Sequence, residues 1–129
     1  MSDANIEREI LDKGLTAPRV TPADIEANIA EEYFFTAAQG IIGCASELVA
    51  GTYAEGELRP VVELYTPTPL RQLTFCVLIL RNGFTVTGES ACASPENFDA
   101  KIGCKIARTN AVNKIWPLMG YELKSKLAG

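Results

Sequence analysis

Residues 73–91 constrain this chain more than any other stretch. Leu73-Thr-Phe-Cys-Val-Leu-Ile-Leu80 is a continuous β-favouring run, and Phe84-Thr-Val-Thr-Gly-Glu-Ser-Ala91 alternates. Between them stands Arg81-Asn82-Gly83. Asn-Gly at the centre of a two-residue loop is the strongest short-range hairpin signal, because both positions tolerate positive φ. That loop pairs Arg81 with Phe84, Ile79 with Val86, Val77 with Gly88 and Phe75 with Ser90 on a mostly apolar face. The other face pairs Leu80 with Thr85, Leu78 with Thr87 and Cys76 with Glu89. It is amphipathic, so it is either exposed or buried in an oligomer. The 73–80 strand is apolar on both sides, which calls for cover on both faces.

Helical signals flank the hairpin. Thr21-Pro22 with Asp24 reads as an N-cap, a first-turn proline and a first-turn acid, and Ile25 and Ile29 share a face. Tyr33-Phe34-Phe35-Thr36 reads as a short strand or as the packing end of that helix. After the hairpin, Ser94-Pro95-Glu96-Asn97 predicts a helix start, with the helix running to about Ile115 and stopping near Trp116-Pro117. Its expected apolar stripe is Phe98, Ile102, Ile106, Thr109, Val112 and Trp116. A short last helix follows from Leu118 to Leu127. Residues 1–20 read as a variable lead with an amphipathic turn or two, ended by Gly14 and Pro18. Residues 37–72, with four glycines and three prolines, read mostly as loop with an edge strand near Val61–Tyr65. The expectation is one α+β domain over 1–129: a small antiparallel sheet built on the 73–92 hairpin, with C-terminal helices packed on one face.

Charge narrows the functional classes. The net charge is −4, which disfavours a nucleic-acid polymer as partner. Its distribution is polar. Residues 1–64 hold twelve acids and four bases, a balance of −8, and residues 65–129 hold four acids and eight bases, a balance of +4. Either the two halves complement each other, or the second faces an anion. With no histidine, a Ser-His-Asp triad, a Cys-His dyad and a His-ligated metal site are excluded. The four cysteines form no C-x-x-C pair, so free, largely buried thiols are expected rather than zinc or redox chemistry. No apolar run approaches the ~18 residues of a membrane span, and the first residues lack an apolar signal core. A cytoplasmic protein that engages no membrane is expected.

Three cations, Lys101, Lys105 and Arg108, fall at i, i+4 and i+7 on the 95–115 helix. They are either the solvated edge of a packed helix or a phosphate site. Asn97 and Asn110 add amides for a ribose or base. Phe84, across from Arg81, is either a sheet-core aromatic or a stacking platform for a flat base. Glu89 with Asp99 or Glu96 has no specific acid–base spacing and is explained by caps and surface acids. No P-loop, dinucleotide fingerprint or nucleophile elbow occurs. No catalytic residue, metal or cofactor is expected.

The segments N-G-F-T-V-T-G-E-S-A-C, S-P-E-N-F-D, I-A-R-T-N-A and K-I-W-P-L-x-G-Y-x-L, with V-T-P-A-D-I-E-A-N-I near the start, resemble a family of small proteins from tailed phages and prophages. That family looks related to the Thoeris anti-defence sponge proteins. The resemblance implies sequestration, without catalysis, of a cyclic nucleotide-type immune signal such as glycocyclic ADP-ribose. It also implies a homo-oligomer with ligand at subunit interfaces, acting in the cytoplasm of the infected or lysogenic bacterial host. Its ligand-binding residues would be Phe84, Asn97, Lys105 and Arg108, and the basic ridge adds Lys101 to the expected set. The alternative is a structural or regulatory homo-oligomeric phage protein whose basic ridge meets another subunit.

Overall fold

The computed structural model describes residues 3–52 and 66–129, with side chains described outside 47–52. The elements in chain order are α1 (Asp3–Asp12), α2 (Pro22–Ala27), β1 (Ile29–Thr36), α3 (Ala37–Thr52), α4 (Thr68–Arg71), β2 (Leu73–Leu80), β3 (Thr85–Ala91) and α5 (Ala100–Leu127). The strands form one antiparallel sheet in the order β1-β2-β3. The architecture is α+β, with α5 lying across β2 and β3.

Turn chemistry sets which face the helix covers. The hairpin loop has three residues rather than two. Gly83 takes φ +87, its N–H donates to the Leu80 carbonyl at 2.9 Å, and the Leu80 N–H donates to the Phe84 carbonyl at 2.8 Å. A tight turn followed by a left-handed glycine adds one residue to the loop. The register therefore pairs Leu78 with Val86 and Cys76 with Gly88, one place from the expected pairing. A one-residue slip exchanges the faces. The covered face is Thr74, Cys76, Leu78, Leu80, Val86 and Gly88, all buried. Phe75, Val77 and Ile79 point the other way.

The helix meets that face through small residues. Gly103, Ala107, Ala111 and Ile115, four apart, are its buried positions. Ile102 and Ile106, expected in the core, are exposed. The cause is close approach of two backbones. A Cβ on Gly88 would lie 2.2 Å from the Ala107 carbonyl oxygen and 2.3 Å from the Ala111 nitrogen. Only glycine on the strand and small side chains on the helix fit there. Ile25, Cys76, Leu78, Leu80, Val86 and Ile115 complete the core, with Trp116 and Met119 packed against it. Each large side chain buried there contributes about 1.5–3 kcal/mol.

Both ends of the long helix differ from expectation. Pro95–Asn97 is a separate 3-10 turn, and α5 begins after Asp99, whose carboxylate accepts from the Lys101 and Ile102 N–H groups. At the other end the helix passes through Pro117 to Leu127 without a break. Proline removes one internal hydrogen bond, to Asn113. Asn113 lies on the exposed side of the helix, and Trp116 and Met119 on either side of the proline stay packed on the core.

The N-terminal half is more helical than expected. Residues 37–52 form α3 rather than loop, while the edge strand expected near Val61–Tyr65 lies outside the described residues. Tyr33–Thr36 belongs to β1, which pairs with β2 from Ile29↔Leu80 to Thr36↔Thr74. Thr21 caps α2 as expected, and the structure extends this to a capping box in which Thr21 and Asp24 exchange side-chain-to-backbone hydrogen bonds. Those bonds hold the Asp24 carboxyl below its ordinary pKa. Of the four free cysteines only Cys76 is buried, and desolvation raises its pKa.

Candidate functional site

Arg108 is the most heavily engaged of the ridge cations. Its Nη1 and Nη2 donate to the two Glu26 carboxylate oxygens at 3.0 and 2.8 Å, and its Nε donates to Glu32 Oε2 at 2.8 Å. The guanidinium thus ties α5 to α2 and β1. Both carboxylates stabilise its charge and raise its pKa, the Glu26 bonds most. The same bonds hold the Glu26 carboxyl below the usual range. Arg108 faces its own chain's acids, and a ligand phosphate would have to compete with two of them.

Lys101 and Lys105 differ. Both are exposed, and among the described residues neither ammonium has an ion-pair partner. One turn apart, they share a rim of α5. Beside the start of that helix lies a shallow cavity of about 90 Å³, lined by residues that include Gln72, Ser90, Asn97, Phe98, Ile102 and Ile106. It offers amide and hydroxyl groups and the Asp99 carboxylate next to apolar surface, and neither lysine lines it. Asn97 occupies the last position of the 3-10 turn and is exposed.

Phe84 stands elsewhere. It is exposed at the hairpin tip, in a cavity of about 200 Å³ shared with Asn28, Leu80, Asn82, Leu118, Met119 and Glu122. The expected partnership with Arg81 is replaced. Leu80 is the residue opposite Phe84, and Arg81 Nε donates to the Ala27 carbonyl at 2.8 Å. Asn97 and Phe84 lie beyond opposite ends of β3, whose seven residues span roughly 20 Å. One chain therefore places Asn97 in the turn before α5 and Lys101 and Lys105 in the first two turns of that helix, with Phe84 beyond the far end of β3.

Two further candidates have structural explanations. Asn110 Nδ2 donates to the Glu89 carbonyl at 2.8 Å, which satisfies an acceptor on the outer edge of β3. Asp99 is the α5 cap. Glu26 and Glu32 were missed by sequence reasoning. They come from an acidic stretch with no spacing signature, and only the β1–β2 pairing carries them to Arg108. The small-residue row Gly103-x-x-x-Ala107-x-x-x-Ala111 was legible as a four-residue repeat, although the larger isoleucines beside it drew the apolar stripe away.

The segments that carry the phage resemblance lie within one matched region. A family model described as "Phage protein (N4 Gp49/phage Sf6 gene 66) family" matches residues 20–127. The chain belongs to this family. The match contains the whole sheet, α5 and all five candidate ligand residues, and it leaves out α1. No curated protein and no solved structure matches the chain. Within this phage family member, Lys101 and Lys105 are the candidate cations without an ion-pair partner among the described residues. No described helix is long and apolar enough to cross a membrane.

Proposed function

We propose that this phage protein is an anti-defence sponge. It binds a cyclic nucleotide-type immune signal of the bacterial host, such as glycocyclic ADP-ribose, and holds it without chemical change. The observation that supports the reading is the pair Lys101 and Lys105, without ion-pair partners among the described residues, on the helix that also borders the cavity lined by Asn97, in a chain of a phage protein family. Two ammonium groups on a rigid helix suit phosphate oxygens, and neighbouring amides suit ribose or base edges. The work is done in the host cytoplasm, and binding alone removes the signal from its effector.

A cavity of about 90 Å³ is small beside the ~300–1,000 Å³ of sites that enclose a ligand. The site is therefore a half-site in this proposal, completed by a second subunit. Phe84 fits that arrangement. Separated from Asn97 within one chain, it reaches a shared ligand from the neighbouring one and supplies an aromatic face for the base. Arg108 serves mainly to fix α5 against α2 and β1.

Calorimetric titration against a panel of cyclic ADP-ribose isomers and cyclic dinucleotides tests the proposal. Saturable binding is expected, with the ligand recovered intact after denaturation. Lys105→Ala should weaken binding by about 1.5–3 kcal/mol if it makes a charge-assisted phosphate contact. Recovery of a hydrolysed product, or no binding across the panel, contradicts the reading. A second reading is a structural or regulatory oligomer, favoured by the engagement of Arg108 with acids rather than with an open cavity. It predicts no ligand and a neighbouring subunit's acids against Lys101 and Lys105.

A further inference from the structure

The sheet has two faces, and α5 covers one. On the other, β1 contributes Glu31, Tyr33 and Phe35, β2 contributes Phe75, Val77 and Ile79, and β3 contributes Thr85, Thr87 and Glu89, as the pairings place them. Tyr33 is 52% exposed and Phe35 is 38% exposed, although Phe35 stacks on Phe75 with ring centroids 5.6 Å apart. Helix α3 leaves the sheet at this end, where a Cβ on Gly40 would touch the Phe35 ring at 3.6 Å. Its next two residues, Ile41 and Ile42, are also exposed. A strand as apolar as β2 on both sides belongs in a sheet covered on both faces.

We infer that a second copy of this chain covers this face, sheet against sheet, in a symmetric pair. Two observations select that occupant. The first is area. Ile41 and Ile42 at the start of α3 join Tyr33 and Phe35 as exposed large apolar residues. Together these four present roughly 350 Å² of surface, before the half-buried Phe75, Val77 and Ile79 are added. That already reaches the ~300–600 Å² of the largest patch on a typical monomer, and it approaches the ~800 Å² per partner of a stable interface. The second is charge. The centre of the face, Tyr33, Phe35, Phe75, Val77 and Thr87, is neutral, and Glu31 and Glu89 stand at its margins. A two-fold interface sets a patch against itself, so a neutral centre is what it requires. Marginal acids with no cation on the strands' open face disfavour an anionic membrane or a nucleic acid. The inference stands apart from the ligand reading, because this face lies on the side of the sheet away from Lys101 and Lys105.

The test is molar mass in solution, by size exclusion with light scattering at micromolar concentration, for the full chain and for Thr87→Arg and Tyr33→Glu. The unaltered chain should run at an even multiple of 13.9 kDa. Each variant places charges against their own copies and should halve that mass, with the far-ultraviolet circular dichroism unchanged. Thr87 is exposed and outside the core, so its replacement leaves folding intact. A mass of 13.9 kDa for the unaltered chain overturns the inference, whether this face is then covered by another part of the chain or by a different protein. So does an unaltered mass in folded variants, which would put the interface elsewhere. Should one variant fail to fold, the mass of the other decides.

Discussion

The two faces of the sheet are built from opposite choices. Under α5 the residues are small at the closest approach, with Gly88 against the backbone of Ala107 and Ala111. On the open face they are large and aromatic, and partly exposed. Where a helix backbone lies directly on a strand, side-chain volume is excluded and packing is tight. On the open face, which among the described residues only the start of α3 approaches, large apolar groups remain that a solvent-facing sheet would replace with polar ones. The covered face sets stability, and the inferred pairing assigns association to the open face.

Substitutions should separate the faces by size of effect. The largest is expected for Gly88→Val, which drives a branched side chain into the α5 backbone. It should cost at least about 3 kcal/mol or abolish folding, read by urea denaturation. Leu78→Ala, in the fully buried core, should cost about 2–5 kcal/mol. Val77→Ala, one residue away on the open face, should cost roughly 1 kcal/mol in chain stability while weakening association. Equal costs for Leu78→Ala and Val77→Ala in a monomer would break the comparison.

Smaller effects are expected at the charged tie between α5 and the N-terminal elements. Arg108→Ala should cost about 1 kcal/mol, since the three side chains are partly exposed and solvent screens them. A lowered melting point with unchanged ligand affinity would mark this arginine as structural. The Glu26 carboxyl titrates below its ordinary 4.5 because Arg108 binds its charged form. Its contribution is therefore present above about pH 4.5 and lost as pH falls through the lowered folded-state value. Melts between pH 3 and 7 should show an acid-side loss that Glu26→Gln reduces. An unchanged acid limb would contradict the tie.

Much of the fold was legible in the sequence. The hairpin, the N-cap of α2 and the presence of helix after the hairpin were carried by local chemistry: Asn-Gly, Thr-Pro with Asp three residues after the threonine, and Pro-rich starts before apolar repeats. The register was not legible, because Asn82-Gly83 serves both a two-residue loop and the turn-plus-bulge loop found here, and one residue exchanges every face. The α3 helix was hidden by its glycines, and the continuity of α5 by Pro117. For the candidate site, the cations on the α5 rim could be read from spacing. The Glu26 and Glu32 partners of Arg108, and the distance between Phe84 and Asn97, depend on tertiary placement and left no local mark.

Radical footprinting of the unaltered chain at micromolar concentration tests the two-face account most directly, because two tyrosines act as internal controls. Tyr121, 78% exposed on the far part of α5, and Tyr33, 52% exposed on the open face, should both label readily in an isolated chain. Burial of the open face predicts rapid labelling of Tyr121, protection of Tyr33, and recovery of Tyr33 labelling in Thr87→Arg. Labelling of both tyrosines in proportion to these exposures, at every concentration, would contradict it.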